Sequence, residues 1–136
     1  CYRGKYKFSK SYLGANHVPF IDGGESGEEF ECAKALDRNK YVKFWIKNVA
    51  RNLKSFWLPT STDKFYPDFV AMLNDGRILV VEYKGKHLIN SADTKEKLAI
   101  GKLWESKSAG KGLFLMAEKN KDGLNVVEQI NALIER

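Results

Sequence analysis

Hydrophobic and polar positions divide the chain into segments of different period. Cys32, Ala33 and Leu36 form a helical stripe, and Glu29 extends it by one turn at i−3 and i−4. Ser26-Gly27-Glu28-Glu29 reads as a capping box with Ser26 as N-cap and Glu29 at the third helical position, which predicts a helix to about Asp37. Glu29 then points toward the surface the helix packs on, and Glu28 and Glu31 toward solvent. Tyr41 to Val49 alternates through Val42, Phe44 and Ile46, with Trp45 out of phase; a strand is predicted, with a short helix as the alternative. Ser55 to Leu58 is a second short apolar run ended by Pro59, and Ser61, Thr62 and Asp63 form a loop.

The stretch FYPDFVAMLNDGRILVVEYK, Phe65 to Lys84, holds two apolar runs joined by Asn74-Asp75-Gly76. That tripeptide suits a three-residue hairpin loop with Gly76 in the left-handed conformation. The register pairs Leu73 with Arg77, Met72 with Ile78, Val70 with Val80 and Asp68 with Glu82, and the period of the strand puts Lys84 on the face of Glu82. A two-residue loop would slip every pair by one position and send Asp68 to the opposite face. Both faces of the hairpin are apolar, so it is expected at the centre of a sheet, covered on two sides.

After Gly85 the chain is polar from Lys86 to Asn90. Asp93 and Glu96 read as another capping box, opening a helix to about Lys107 with Leu98, Ile100, Leu103 and Trp104 as its apolar surface. Gly110 and Gly112 end it. Gly112 to Ala117 reads as a buried strand, and Asp122-Gly123 turns into a last helix carrying Val126, Val127, Ile130, Leu133 and Ile134. Residues 1–24, with Tyr2, Tyr6, Phe8 and Tyr12 among lysines, read as an N-terminal arm or leading strand before a single domain over 25–136. The order (helix, three strands, helix, strand, helix) predicts an α/β fold, a mixed β-sheet with helices on both faces. The right-handed crossover rule makes 112–117 parallel to the strand before its helix.

Composition narrows the class. A chain of 136 residues suits one domain with one core, and 43% hydrophobic with 29% charged residues is ordinary for a globular protein. No apolar run approaches the roughly 20 residues of a membrane span, and no signal-peptide pattern opens the chain. It begins on Cys1 rather than Met, as expected of a segment of a larger protein. Cys1 and Cys32 lack metal-ligand spacing, and Cys32 reads as a buried thiol in a reducing cytoplasm. Lys and Arg outnumber Asp and Glu 23 to 17, a net charge of +6 that permits nucleic-acid binding without demonstrating it.

Acidic groups at the ends of apolar strands are costly unless something compensates them. Asp68 and Glu82 at hydrogen-bonding distance repel, and each prefers a proton; a hard cation, Mg²⁺ or Mn²⁺, removes the conflict. Lys84 can orient a water or stabilise negative charge developing on a phosphate. Glu29 can add a metal ligand or position a water. The plainer readings are a strand-end cap for Asp68, a same-face salt bridge for Glu82 with Lys84, and a capping-box role for Glu29, for which Glu28 and Glu31 are substitutes. Lys86 and Lys102 are candidate phosphate contacts, although isolated lysines are usually solvated. His17 and His87 read as polar surface, Tyr83 as packing, and Trp45, Trp57 and Trp104 as core rather than base-stacking platforms. No Gly-rich phosphate loop is present, so ATP hydrolysis is not expected.

Pro67-Asp68, a 13-residue gap and then Glu82-Tyr83-Lys84 match the PD-(D/E)XK nuclease motif, and the order of elements matches that core. The strings GEEFECAKALD, FWLPTSTDKFYPDF, DGRILVVEYKGKHL and EKLAIGKLWESKSAGKGLF resemble one branch of it, the C-terminal nuclease domain of the restriction (Res) subunits of type III restriction enzymes and related helicase–nuclease proteins; the resemblance covers about residues 17 to 118. It implies a restriction-endonuclease-like core and Mg²⁺-dependent cleavage of DNA phosphodiesters, with Mn²⁺ as a substitute. Asp68 and Glu82 carry over as metal ligands, Lys84 as the lysine beside the attacking water, and Glu29 as the helix-borne acid. The implied partners are DNA, an upstream helicase motor in the same polypeptide and a modification or specificity subunit, in a prokaryotic cytoplasm. The alternative is a nuclease-like DNA-binding or interaction module of a helicase protein whose active site is silent; the intact Asp, Glu and Lys argue against it. A nuclease acting on RNA or junctions is a third reading, since nothing here reads sugar or base.

Overall fold

Asn74-Asp75-Gly76 makes the turn its residues favour. Gly76 adopts φ 90°, its N–H donates to Leu73 O at 3.0 Å, and Leu73 N–H donates to Arg77 O at 2.9 Å. Met72 therefore pairs with Ile78 and Val70 with Val80, the register expected from the loop length. The structure is a computed structural model describing residues 1–19, 21, 27–85 and 91–136.

The described elements are α1 (Glu28–Arg38), β1 (Val42–Lys47), β2 (Leu58–Pro59), β3 (Lys64–Phe65), β4 (Phe69–Leu73), β5 (Ile78–Tyr83), α2 (Ala92–Lys107), β6 (Gly112–Ala117) and α3 (Val126–Ile134), with a 3₁₀ turn at Ala15–His17. The main sheet has four strands in the order β1-β4-β5-β6, and β2 and β3 form a separate short ribbon. β1, β4 and β5 are antiparallel neighbours, whereas β6 runs parallel to β5 after the α2 crossover. This is an α/β fold on a mixed sheet. α1 and α3 cover one face together with Trp45, Phe69, Leu79 and Leu113; α2 and the ribbon cover the other, over Val80, Phe114 and Met116.

Two boundaries differ from those expected of the sequence. Gly27 is the N-cap of α1, so Glu29 is its second residue rather than its third, and Ser26 lies outside the described residues. Ser91 caps α2 by accepting from Thr94 N–H, which makes Asp93 an acid in the first turn. α3 begins at a reciprocal capping box of Asn125 and Glu128. The apolar face of α2 is also narrower than expected, because Leu98 and Leu103 are exposed. The helix instead meets the sheet through Gly101, where a Cβ would sit 2.4 Å from the Phe114 ring. Only a glycine allows that approach.

The N-terminal arm packs on the core without becoming a strand; one bridge joins Ser11 to Trp45. Phe8, Val18 and Ile21 are buried with it. Asp37 anchors the arm by accepting from Ser9 N–H, Lys10 N–H and Tyr6 Oη, and from Trp45 Nε1 inside the core. Burial opposes its charge, but these donors outweigh burial and hold the carboxyl below its ordinary range. Among the described residues no helix is long and apolar enough to cross a membrane.

Candidate active site

Two backbone hydrogen bonds lock the acidic ends of the central hairpin together. Asp68 N–H donates to Glu82 Oε1 at 3.1 Å, and Tyr83 N–H donates to Asp68 Oδ2 at 2.8 Å. Each carboxylate thus rests on the other's strand, and the predicted opposition of Asp68 and Glu82 becomes direct contact. Lys84 follows β5 directly and bonds back to Glu82 Oε2 at 3.1 Å. Its backbone N–H continues the parallel ladder to Ala117 O, which fixes the direction in which its side chain leaves the sheet.

A lysine that alternation along the sequence does not single out completes the cluster. Lys47, at the end of β1, reaches Glu29 Oε1 at 2.9 Å and Asp68 Oδ1 at 3.4 Å, with a side chain only 13% exposed. A bulge between Val42 and Phe44 puts it there. The extra residue shifts the phase of β1, so Trp45 turns into the core and Lys47, two residues on, shares its face above the Phe69 ring. The out-of-phase Trp45 is the signal available in the sequence: an inward Trp45 implies an inward Lys47.

Asn48 then holds the approach to Asp68. Its Nδ2 donates to Phe56 O at 2.8 Å and Pro67 O at 2.9 Å, its Oδ1 accepts from Phe56 N–H at 3.1 Å, and its own N–H donates to Asp68 O at 2.8 Å. The backbone on both sides of the Pro67–Asp68 bond is therefore clamped from β1.

The electrostatics follow from this packing. Glu29, Asp68 and Glu82 face the ammonium groups of Lys47 and Lys84. Burial, then the neighbouring Glu82 charge, push Asp68 from an ordinary 3.8 up to about 6, against the opposing pull of Lys47. Lys47 and Lys84 lose hydration by burial, yet the carboxylates more than offset it and raise both above the ordinary lysine value. Such a site attracts a proton or a cation.

Of the expected residues, Asp68, Glu82 and Lys84 meet in one cluster, and Glu29 joins it through Lys47. Among the described residues no group of three His, Cys, Asp or Glu side chains is placed to hold a metal ion. The interlocked pair Asp68 and Glu82 remains, and two carboxylates with water filling the other positions are a fitting donor set for Mg²⁺. Glu28 and Glu31 are exposed, Glu31 pairing with Lys34. Tyr83 is half-buried, and burial followed by a hydrogen bond to Glu28 raises its hydroxyl pKa. Lys102 bonds Phe114 O, His17 is exposed, and Lys86 and His87 lie outside the described residues. Trp45 and Trp104 pack in the two cores as expected, but Trp57 is 42% exposed, with the Lys64 ammonium 4.5 Å from its ring centroid.

Compared with known proteins, the chain matches no family model, and no curated protein and no solved structure is found to match it.

Proposed function

We propose that this chain is a metal-dependent nuclease domain with a restriction-endonuclease-like core, hydrolysing DNA phosphodiesters as the C-terminal part of a protein like the type III Res subunits. The observation that carries the reading is the interlocked pair Asp68 and Glu82, with Lys84 fixed on Glu82 and Asp68 held at about 6. A buried carboxylate that is costly to ionise, clamped in hydrogen-bonding contact with a second one, favours a bound cation. Asp68 and Glu82 are the residues that would hold Mg²⁺ or Mn²⁺. The bound ion supplies Lewis-acid polarisation of the phosphate and neutralises its charge.

The chain's own residues supply the rest. Lys84, held at 3.1 Å from Glu82, donates hydrogen bonds toward the attacking water and the phosphate oxygens, where charge grows as the new P–O bond forms. The bond to the leaving oxygen breaks, that oxygen takes a proton from solvent, and the attacking water's proton passes to solvent. Lys47 keeps Glu29 and Asp68 in place. DNA as substrate, a helicase motor upstream and a separate specificity subunit belong to the same proposal.

Plasmid nicking in Mg²⁺ tests it. The parent is expected to cut, and Asp68→Ala and Lys84→Ala to lose on the order of 10²-fold or more of the rate while remaining folded. A parent protein that leaves DNA intact in both Mg²⁺ and Mn²⁺, or variants that cut as fast as the parent, would overturn the assignment.

A further inference from the structure

Beside the carboxylate cluster lies a cleft of about 390 Å³ lined by Ala50, Arg51, Asp63, Lys64, Phe65, Tyr66 and Lys97. It is continuous with the site along the backbone, because Phe65 and Tyr66 lead straight into Pro67-Asp68. It is also continuous through side chains. Lys97 lies over the Phe65 ring, and Phe65 shares its core cluster with Val80 of β5. The lining carries Arg51, Lys64 and Lys97 against the carboxylate of Asp63, with Lys97 also paired to Asp93 at 3.1 Å from the neighbouring turn of α2. A chain of phosphates needs an open cationic trough of this kind rather than a deep enclosed pocket.

The walls expose Arg51 and Lys64 to solvent, with Lys97 half-buried behind them. Arg51 sits in a turn after β1 at φ 62°, a left-handed conformation that non-glycine residues seldom adopt. Lys64 opens β3, on a ribbon closed by Thr60, whose N–H donates to Asp63 O and whose Oγ1 accepts from Asp63 N–H. Lys64 lies across exposed Trp57, which places an aromatic face at the rim. Exposed cations beside one exposed aromatic ring suit a sugar-phosphate backbone with a base free to stack.

We propose that this cleft binds the phosphodiester backbone of the nucleic-acid strand whose bond enters the carboxylate cluster, with Arg51, Lys64 and Lys97 contacting successive phosphates. The proposal rests on the nuclease reading for its orientation, but binding can be measured without cleavage.

The experiment follows a labelled DNA duplex by fluorescence anisotropy across a salt series in EDTA. The parent is compared with Arg51→Gln/Lys64→Gln/Lys97→Gln and with a charge-matched control, Lys34→Gln/Arg38→Gln/Lys40→Gln, which neutralises the basic concavity lined by α1 and α3 residues. Each phosphate that is no longer neutralised should lower the slope of log K against log salt by about 0.9. The cleft variant is therefore expected to drop by roughly 2 to 3 in slope and by at least about tenfold in affinity, while the control stays close to the parent. Single Arg51→Gln and Lys64→Gln proteins, altered only at exposed side chains, should each show about one third of the drop. Quenching of Trp57 emission by the DNA, abolished in Trp57→Phe, would place the strand at the rim. Equal slopes for parent and cleft variant, or an equal drop in the control, overturns the proposal. A parent that cuts while the cleft variant binds normally leaves the nuclease and removes the cleft. A parent that binds through the cleft yet never cuts does the reverse.

Discussion

Replacing Asp68 by Asn should make the metal-free protein more stable at neutral pH, and the gain should vanish in acid. Asp68 titrates at about 6 in the fold and at an ordinary 3.8 in the open chain, so the folded protein binds this proton more tightly. Stability from that proton is fully present below 3.8 and is lost as pH rises through about 6. The gap corresponds to about 3 kcal/mol at pH 7.5, about half of that near pH 5, and little near pH 4. The figure already contains the attraction of Lys47 and the repulsion of Glu82, since both act on the same equilibrium. Asn imitates the protonated acid: its Oδ1 can keep the bond from Tyr83 N–H, and Lys47 keeps Glu29. Urea titrations of parent and Asp68→Asn in EDTA at the three pH values give the difference directly, and the neutral-pH gain should appear as a rise of roughly 10 °C in Tm. A variant that is no more stable than the parent at neutral pH, or a gain independent of pH, would refute the claim that the carboxylate is held ionised at a cost.

Lys47→Met should have the opposite sign. Removing the ammonium between Glu29 and Asp68 leaves two partly buried carboxylates facing each other, a loss of roughly 2 to 4 kcal/mol in EDTA. Mn²⁺ should then raise the melting temperature of the variant more than that of the parent, whereas equal shifts would mean Lys47 and the ion do not share a charge. Asn48→Ala deletes side-chain bonds to Phe56 and Pro67 and should cost about 2 to 3 kcal/mol by chemical denaturation; a cost of a few tenths would show that the Pro67–Asp68 backbone holds itself. Asp37, depressed by its donors, stabilises the protein above its ordinary 3.8, and this is lost as pH falls below it. Trp45 emission should therefore report release of the arm in acid, and Asp37→Asn should flatten that pH response.

The central hairpin was legible because its loop is local chemistry. Asn-Asp-Gly selects a turn, the turn selects a register, and the register brings Asp68 to Glu82 with Lys84 beyond. The parallel β6 followed from chirality alone. Lys47 was not legible by alternation because a bulge reset the phase of β1, and a bulge is decided by what Trp45 can bury, not by its neighbours in sequence. Asn48 looks like any loop asparagine until Phe56 and Pro67 arrive beside it. The helix caps were displaced because several Ser, Asp and Gly residues near each start can serve, and packing chooses among them. Leu98 and Leu103 misled because α2 approaches the sheet on Gly101, where absence of a side chain does the packing. Trp57 precedes a ribbon too short to bury it.

Cys32 lies on the buried stripe of α1, on the same helix that delivers Glu29 to the cluster. Burial, and after it the charges of Asp68 and Glu29, push its thiol far above the ordinary 9.0. Only the thiolate reacts with alkylating reagents, so this sulfur is silent while α1 is seated on the sheet. With exposed Cys1 replaced by Ser, the rate of labelling at Cys32 becomes a clock for how often the helix lifts and Glu29 parts from Lys47. The protein thus carries its own reporter of site opening, one helical turn away from the acid whose movement it times.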